Sequence, residues 1–199
     1  MPSKKELKQE KTCVLIKPDG VKRGLIGEII GRIEQRGLKI VGLKLIWASK
    51  EQVDKHYPKD EQYIRQLGEK TLENYKTYRL DPQKELGTED ALEIGKMVRG
   101  WLIDYLASGP MVKMVVEGVH AIAMVRKIVG NTMPSQAEVG TIRGDFSVDD
   151  ASIANREKRP IYNIIHASGN EKEAKHEVAL WFSSGEIYDY KRAGENTMS

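Results

Sequence analysis

His166 closes the apolar run Tyr162-Asn163-Ile164-Ile165 and precedes Ala167-Ser168-Gly169-Asn170, a turn that leads into a helix pattern. A side chain at such a junction faces free helix N–H groups, which favour anions. Imidazole can serve there as a nucleophile or base near neutral pH. Taken alone, the plainer reading of His166 is a core histidine with a satisfied ring. Glu177 tips the balance, because Ala174, Glu177, Val178, Trp181 and Phe182 recur at the spacing of one buried helical stripe. A carboxylate therefore stands where the helix should be apolar, and buried carboxylates need partners. A ring N–H of His166 donating to Glu177 would fix tautomer and orientation and leave the other nitrogen as nucleophile. The alternative is a glutamate at the edge of the stripe, reaching water. Regular alternation sets Asn163 and His166 on opposite faces, so both reach one site only if the strand bends near its end. His56, His120 and His176 lack comparable settings and read as structural or solvated.

Three cations could accompany this pair: Lys17 at the end of the first apolar run, Arg126 on a helix pattern, and Arg143 within Gly140-Thr141-Ile142-Arg143-Gly144-Asp145. A compact ammonium and planar guanidinium forks suit polyphosphate oxygens. Singly, each is more often a solvated surface charge. The chain carries no Walker loop, dinucleotide fingerprint or protein-kinase signature, so phosphate binding would have to come from dispersed side chains. Clusters of Cys and His at metal-ligand spacing are absent, although Mg²⁺ carried in by a nucleotide needs few protein ligands.

The elements that must position these residues follow from periodicity. Thr12 to Ile16 reads as a strand entering a tight turn at Lys17-Pro18-Asp19-Gly20. An amphipathic helix carries Leu25, Ile29, Ile30 and Ile33 and ends near Gly37, and Leu38 to Trp47 is a second strand. Lys59 to Lys96 is charged, holds Tyr63, Tyr75 and Tyr78, is broken at Asp81-Pro82 and Leu86-Gly87, and reads as a largely helical insertion at about 59–97. Thr88 is the expected cap of a helix whose face includes Leu92, Gly95, Val98, Leu102 and Tyr105 or Leu106, stopping at Ser108-Gly109-Pro110. Met111 to Glu117 gives a third strand and His120 to Val129 a third helix with Ile122, Val125 and Val129 in its stripe. Residues 130–150 are mostly loop by composition, Ile161 to Ile165 is a fourth strand, and Asn170 with Glu173 forms a near capping box for the last helix. The alternation suggests a small antiparallel or mixed sheet with helices on one side, in a single domain over 1–199.

The 199 residues are enough for one domain with an elaboration, and 40% hydrophobic with 31% charged residues excludes a disordered chain. No apolar run approaches the roughly 20 residues of a membrane span. A net charge of +3 is mild for a dedicated nucleic-acid binder. The lone Cys13 permits no internal disulfide and falls in an apolar run, where a buried structural role is expected. The N-terminal MPSKKELKQE lacks an apolar core and reads as a solvated leader, which makes a cytoplasmic address the default.

In chain order, Lys17-Pro18-Asp19-Gly20, His56-Tyr57, Ser108-Gly109-Pro110, Glu117-Gly118, Arg126 with Gly130, Thr132, Gly140 to Phe146, Asn163 to Ser168, Glu177 and Leu180-Trp181-Phe182 together resemble nucleoside diphosphate kinase. The resemblance implies an α+β fold with a ferredoxin-like βαββαβ core, a four-stranded antiparallel sheet and helices on one face. It implies ping-pong transfer of the γ-phosphoryl group from a nucleoside triphosphate, mainly ATP, to a nucleoside diphosphate, with His166 as transient phosphohistidine. It further implies attack through Nδ1 while the backbone holds the other nitrogen, with Glu177 on the nucleophilic side and Ser168 supporting Glu177. Lys17, Tyr57, Arg126, Thr132, Arg143 and Asn163 would surround phosphates and sugar, Mg²⁺ would bridge the phosphates, and the chain would assemble as a hexamer or tetramer.

Three departures stand out. Val98 takes the place where the family stacks a Phe on the base, so a side chain of the insertion, such as one of its tyrosines, is expected to replace that contact. A second insertion at about 148–160 separates Arg143 from Asn163, and Gly169-Asn170 stands where the family has Asp-Ser. The competing reading is a catalytically idle ferredoxin-like module that binds nucleotide or nucleic acid. Retention of His166, Glu177, Lys17 and both arginines speaks against it, as does an aromatic content of only 7%.

Overall fold

Strand β1 (Gln9–Ile16) is apolar on both sides from Cys13 onward, and that sets the architecture. Val14 and Ile16 point into one apolar layer, Cys13 and Leu15 into another. β1 pairs antiparallel with β3 (Met111–Val119), from Gln9 opposite Val119 to Ile16 opposite Val112. On its other side it pairs antiparallel with β4 (Ile165–Ala167), Leu15 standing opposite His166. β2 (Lys39–Ile46) completes the sheet against β3, giving the order β2-β3-β1-β4. This is the four-stranded antiparallel α+β arrangement that the resemblance implies. The computed structural model describes residues 9–193. The start of the N-terminal leader and Asn196-Thr197-Met198-Ser199 lie outside the described residues.

Helices α2 (Ile26–Gln35) and α7 (Ala121–Val129) cover one face, seating Ile29, Ile33, Val125 and Val129 on Val14, Ile16, Met114 and Val116. The opposite face carries helices too. Val53 of α3 (Lys50–His56), Leu106 of α6 (Ala91–Leu106) and Trp181 of α10 (Glu171–Trp181) pack on Cys13, Leu15 and Val115. An unbroken apolar run offers no polar alternate positions to face water, so the central strands demand cover on both sides.

Several local expectations change. The Lys17-Pro18-Asp19-Gly20 segment is not a free turn but the start of α1 (Pro18–Lys22), where Pro18 occupies a first-turn position that needs no N–H. The single helix expected after it is therefore two. Asp90, not Thr88, caps α6 by accepting from the Glu93 amide, while Thr88 hydrogen-bonds the Glu93 carboxylate. In α7 Ala121 rather than Ile122 is fully buried. Residues 130–150 hold a 3₁₀ turn at Pro134–Gln136 and helix α8 (Ile142–Phe146), capped by the Thr141 hydroxyl. The stretch 148–160 contains α9 (Ala151–Arg156). The fourth strand is three residues long and begins at Ile165, where it was expected to end.

The segment after Tyr57 is helical: α4 (Glu61–Thr77), capped by Asp60, and α5 (Pro82–Leu86) lead into α6. α4 lies directly against α6 at two glycines. A Cβ on Gly68 would stand 1.8 Å from the Ala91 carbonyl oxygen, and one on Gly95 would stand 1.9 Å from that of Ile64. Both obstacles are backbone and cannot swing aside. Gly68→Ala or Gly95→Ala is expected to push the helices apart and to cost about 1–3 kcal/mol, more than the helix propensity that alanine gains. Urea unfolding should show a lower midpoint for each variant with an unchanged slope.

Candidate active site

Ile164 has φ +68°, a left-handed conformation that a β-branched residue adopts only under constraint. The Ile165 amide donates to the Asn163 carbonyl at 2.7 Å, so Asn163-Ile164-Ile165 is a γ-turn of the strained hand. The turn is pinned from the start of the chain: the Lys17 amide donates to the Ile164 carbonyl at 2.8 Å, and the Asp19 carboxylate accepts from the Ile164 amide at 3.0 Å. It explains the late start of β4, since a strand cannot run through a γ-turn. It also supplies the bend that brings Asn163 and His166 to one cavity.

Beyond the turn, the carboxylate of Glu177 receives His166 Nε2 at 2.9 Å on each oxygen and the Ser168 hydroxyl at 2.6 Å on Oε2. Burial alone would raise the Glu177 pKa, but the hydrogen bond and charge of His166, the nearby His56 and the Ser168 hydroxyl together hold it below its ordinary value. A carboxylate only accepts, so Nε2 carries the proton and Nδ1 keeps its lone pair. This reverses the arrangement expected from the resemblance. Glu177, not the backbone, holds Nε2. Ser168 is itself fixed on β1, receiving the Cys13 amide at 3.2 Å. Cys13 is buried, and burial pushes its thiol well up.

His56, read from sequence as structural, stands beside this pair. Its ring meets that of His166 edge to face, centroids 4.7 Å apart, and its Nδ1 lies 3.8 Å from the Glu177 carboxylate. The Trp181 indole N–H donates to that Nδ1 at 3.3 Å. Burial pushes the His56 pKa down to about 3, with His166 acting in the same direction and Glu177 opposing. His56 is therefore a neutral wall of the site at ordinary pH. With His166 and Glu177 it forms the cluster with metal-ligand potential among the described residues, although its Nδ1 lone pair is taken by Trp181.

His166, a quarter exposed, lines a cavity of about 710 Å³. The cavity gathers every remaining residue singled out from sequence: Lys17, Tyr57, Val98, Arg126, Thr132, Arg143 and Asn163. Lys17 Nζ donates to Asn163 Oδ1 at 2.7 Å, and Asn163 Nδ2 donates to the Thr132 carbonyl at 2.9 Å. Arg143 clamps the γ-turn, donating to the carbonyls of Asn163 (3.2 Å), Ile165 (2.6 Å) and Gly130 (3.0 Å). Burial lowers Lys17 to about 8, with Arg143 adding to the effect, and lowers Arg143 to about 10, with Arg126 adding. Burial likewise raises the Tyr57 phenol, which stays neutral. Of the three tyrosines of the 59–97 segment, Tyr63 reaches the cavity, whereas Tyr75 is buried and Tyr78 ends α4; Trp101, which lacked a signal in the sequence, also lines it. Lys70 and Arg159 add charge, and Glu173 is the one carboxylate among the described lining residues. Such a lining suits a polyanion. A more open hollow across α7, lined by Glu10, His120 and Glu138 among others, shares Arg126 with this cavity but not the buried pair.

The family model for nucleoside diphosphate kinase matches residues 10–72 and 91–187. The chain belongs to the nucleoside diphosphate kinase family. A nucleoside diphosphate kinase from Pyrobaculum aerophilum is 44% identical over 90% of this chain and 98% of its own length. One from Pyrococcus furiosus is 41% identical over 94% of this chain and 91% of its own. Among solved structures, an NDP kinase from Pyrobaculum aerophilum superposes with a TM-score of 0.89 at 42% identity, covering 92% of this chain and all of that one. A transition-state mimic of the Borrelia burgdorferi enzyme with bound vanadate and ADP gives 0.75 at 36% identity, covering 95% and 96%. These findings support the phosphotransferase activity of the nucleoside diphosphate kinase family and not an idle binding module.

His56 supplies a test of the site's burial. Its folded pKa of about 3 lies below the ordinary 6.5, so the unfolded chain binds the extra proton between those values and stability falls as pH drops through that window. At pH 4.5 the loss from this one group is about 2–3 kcal/mol. Urea midpoints at pH 7 and pH 4.5 should differ more in the native protein than in His56→Gln, which keeps an acceptor for Trp181 and adds no titrating group.

Proposed function

We propose that His166 is the phosphoryl carrier between a nucleoside triphosphate, mainly ATP, and a nucleoside diphosphate. The observation that carries this reading is the Nε2–H of His166 held by a buried, ionised Glu177 at the edge of a cationic cavity. In the first half-reaction the Nδ1 lone pair forms a bond to the γ-phosphorus, and the bond from phosphorus to the β,γ-bridging oxygen breaks, releasing the diphosphate. The ring gains positive character, which the carboxylate on Nε2 stabilises without taking the proton. In the second half-reaction a terminal oxygen of an incoming diphosphate attacks the phosphorus and the N–P bond breaks, restoring Nδ1. Binding the two nucleotides in turn at one cavity makes the kinetics ping-pong.

Lys17, Arg126 and Arg143 oppose the charge spread over the transferring group, and Tyr57 and Thr132 offer hydroxyls beside it. Three of Arg143's donors are already spent on backbone carbonyls, so it acts mainly as a fixed charge. Lys17 and Asn163, joined by their own hydrogen bond, are placed to exchange it for sugar hydroxyls. Mg²⁺ fits this cavity as a passenger on the phosphates, because the lining offers cations and neutral oxygens rather than a cage of carboxylates. When bound it neutralises phosphate charge.

The same reading takes the chain as one domain elaborated at about 59–97 and 148–160; the family match omits 73–90, inside the first of these. It includes assembly as a tetramer or hexamer, supported by Leu45 and Trp47 standing 59% and 69% exposed on and beside edge strand β2. It includes a cytoplasmic address; separately, no helix among the described residues is long and apolar enough to cross a membrane.

Brief exposure to γ-labelled ATP with Mg²⁺ should give an acid-labile, alkali-stable phosphoenzyme that passes its label to GDP. His166→Ala should form none; label retained in that variant would overturn the assignment. The Lys17 ammonium, with its pKa near 8, should impose an alkaline limb: kcat/KM falls as pH rises through about 8 and the charge is lost. In Lys17→Arg that limb should vanish from the profile, whatever the absolute rate.

A further inference from the structure

Behind the cavity, the end of α6 meets the segment that pins the γ-turn. A Cβ on Gly109, just past the helix, would stand 3.4 Å from Pro18, and the Lys17 ammonium lies 5.7 Å from the centroid of the Tyr105 ring in the last turn of α6. Tyr105 is only 7% exposed and is not among the described lining residues of the cavity. Its ring rests against that of Tyr162, centroids 5.1 Å apart, which fixes where the hydroxyl sits. That hydroxyl is buried and makes no hydrogen bond of ordinary geometry among the described residues. Asp19 Oδ1 is buried in the same condition, while Oδ2 of the same carboxylate accepts from the Ile164 amide. Burial raises the Tyr105 phenol, and Asp19 raises it further by its charge and as an acceptor, so the two groups stand within reach of each other. A buried donor and a buried acceptor left over side by side satisfy one another.

We infer that Tyr105 is a positioning residue for phosphoryl transfer, its hydroxyl donating to Asp19 Oδ1 and so holding the carboxylate on the Ile164 amide. The inference rests on the proposed function, in which His166 is the nucleophile. A carboxylate engaged through one oxygen is free to swing about its last bond, and a donor on the second oxygen removes that freedom. Contact then runs from α6 through Asp19 to the γ-turn, and the turn leads directly into His166. Nδ1 must meet the γ-phosphorus in line, so a small slip of the turn costs rate. It costs no nucleotide affinity, because Tyr105 is set back from the cavity. The same helix supplies Val98 and Leu102 to the lining, so α6 registers the bound nucleotide against the nucleophile.

Tyr105→Phe removes the hydroxyl and keeps the ring. In the full chain with ATP, GDP and Mg²⁺ it should lower kcat about tenfold, the size of one hydrogen bond to a charged group, with calorimetric affinity for ADP unchanged. In an Asp19→Ala background the same change should cost less than about twofold, because its route to the γ-turn is already cut. By NMR, the Ile164 amide proton, drawn downfield by the carboxylate, should move upfield in Tyr105→Phe. An unchanged kcat, a tenfold loss that persists without Asp19, or an unmoved Ile164 resonance overturns the inference. The single variant is conservative, so its kcat and its resonance decide even where Asp19→Ala fails to fold. If the native chain transfers no phosphoryl group, the phosphotransfer reading has failed instead; the Ile164 resonance then decides whether Tyr105 holds the turn.

Discussion

The site depends on one strained residue. Ile164 is held in a left-handed γ-turn that no isoleucine would choose, at a cost of order 1–3 kcal/mol. Two separate parts of the chain hold it there: the segment 17–20, through the Lys17 amide, the Asp19 carboxylate and Gly20, where a Cβ would stand 2.9 Å from the Ile164 side chain, and Arg143, through the carbonyls on either side of the turn. The strain is what lets Asn163 and His166 share a cavity despite the alternation of a strand. It also joins phosphate-facing cations to the nucleophile's own backbone, so the charges and the imidazole move as one piece.

Around that turn the electrostatics are arranged by withholding solvent. Glu177 stays ionised although buried because a histidine N–H and a serine hydroxyl replace the lost water. The neutral His56 beside it adds a polar, uncharged ring next to the pair. Lys17 and Arg143 repel one another in the cavity, and an incoming polyanion relieves that repulsion. Each of these groups is poised by its neighbours to favour a negatively charged visitor.

What could be read in the sequence follows from whether the cause is local. Glu177 was legible because a charge inside a period-3.6 apolar stripe is a local contradiction, and the strand-helix alternation was legible because periodicity is local too. The two-sided sheet was less so, although the unbroken run Cys13 to Ile16 carried the hint. His56 was missed because its partner, Trp181, lies 125 residues away. The limits of β4 were missed because the hydrogen bonds that bend Ile164 come from residues 17 and 19. Gly95 was legible as part of a helix face, but that it and Gly68 are points of backbone contact is a distinction that only the facing helix can make.

The turn at Ile164 also fixes when the site can exist. The hydrogen bond between Lys17 and Asn163 spans 146 residues, and that between Cys13 and Ser168 spans 155. Each half of the site is thus ordered by a segment made at the opposite end of synthesis. Contacts of such long sequence separation carry a large loop-closure cost and slow folding. A chain made only as far as α9 still lacks Asn163, His166, Ser168 and Glu177, and so has no site. The pair itself needs still more of the chain, since the Glu177 that holds His166 Nε2 comes from α10, after the last strand.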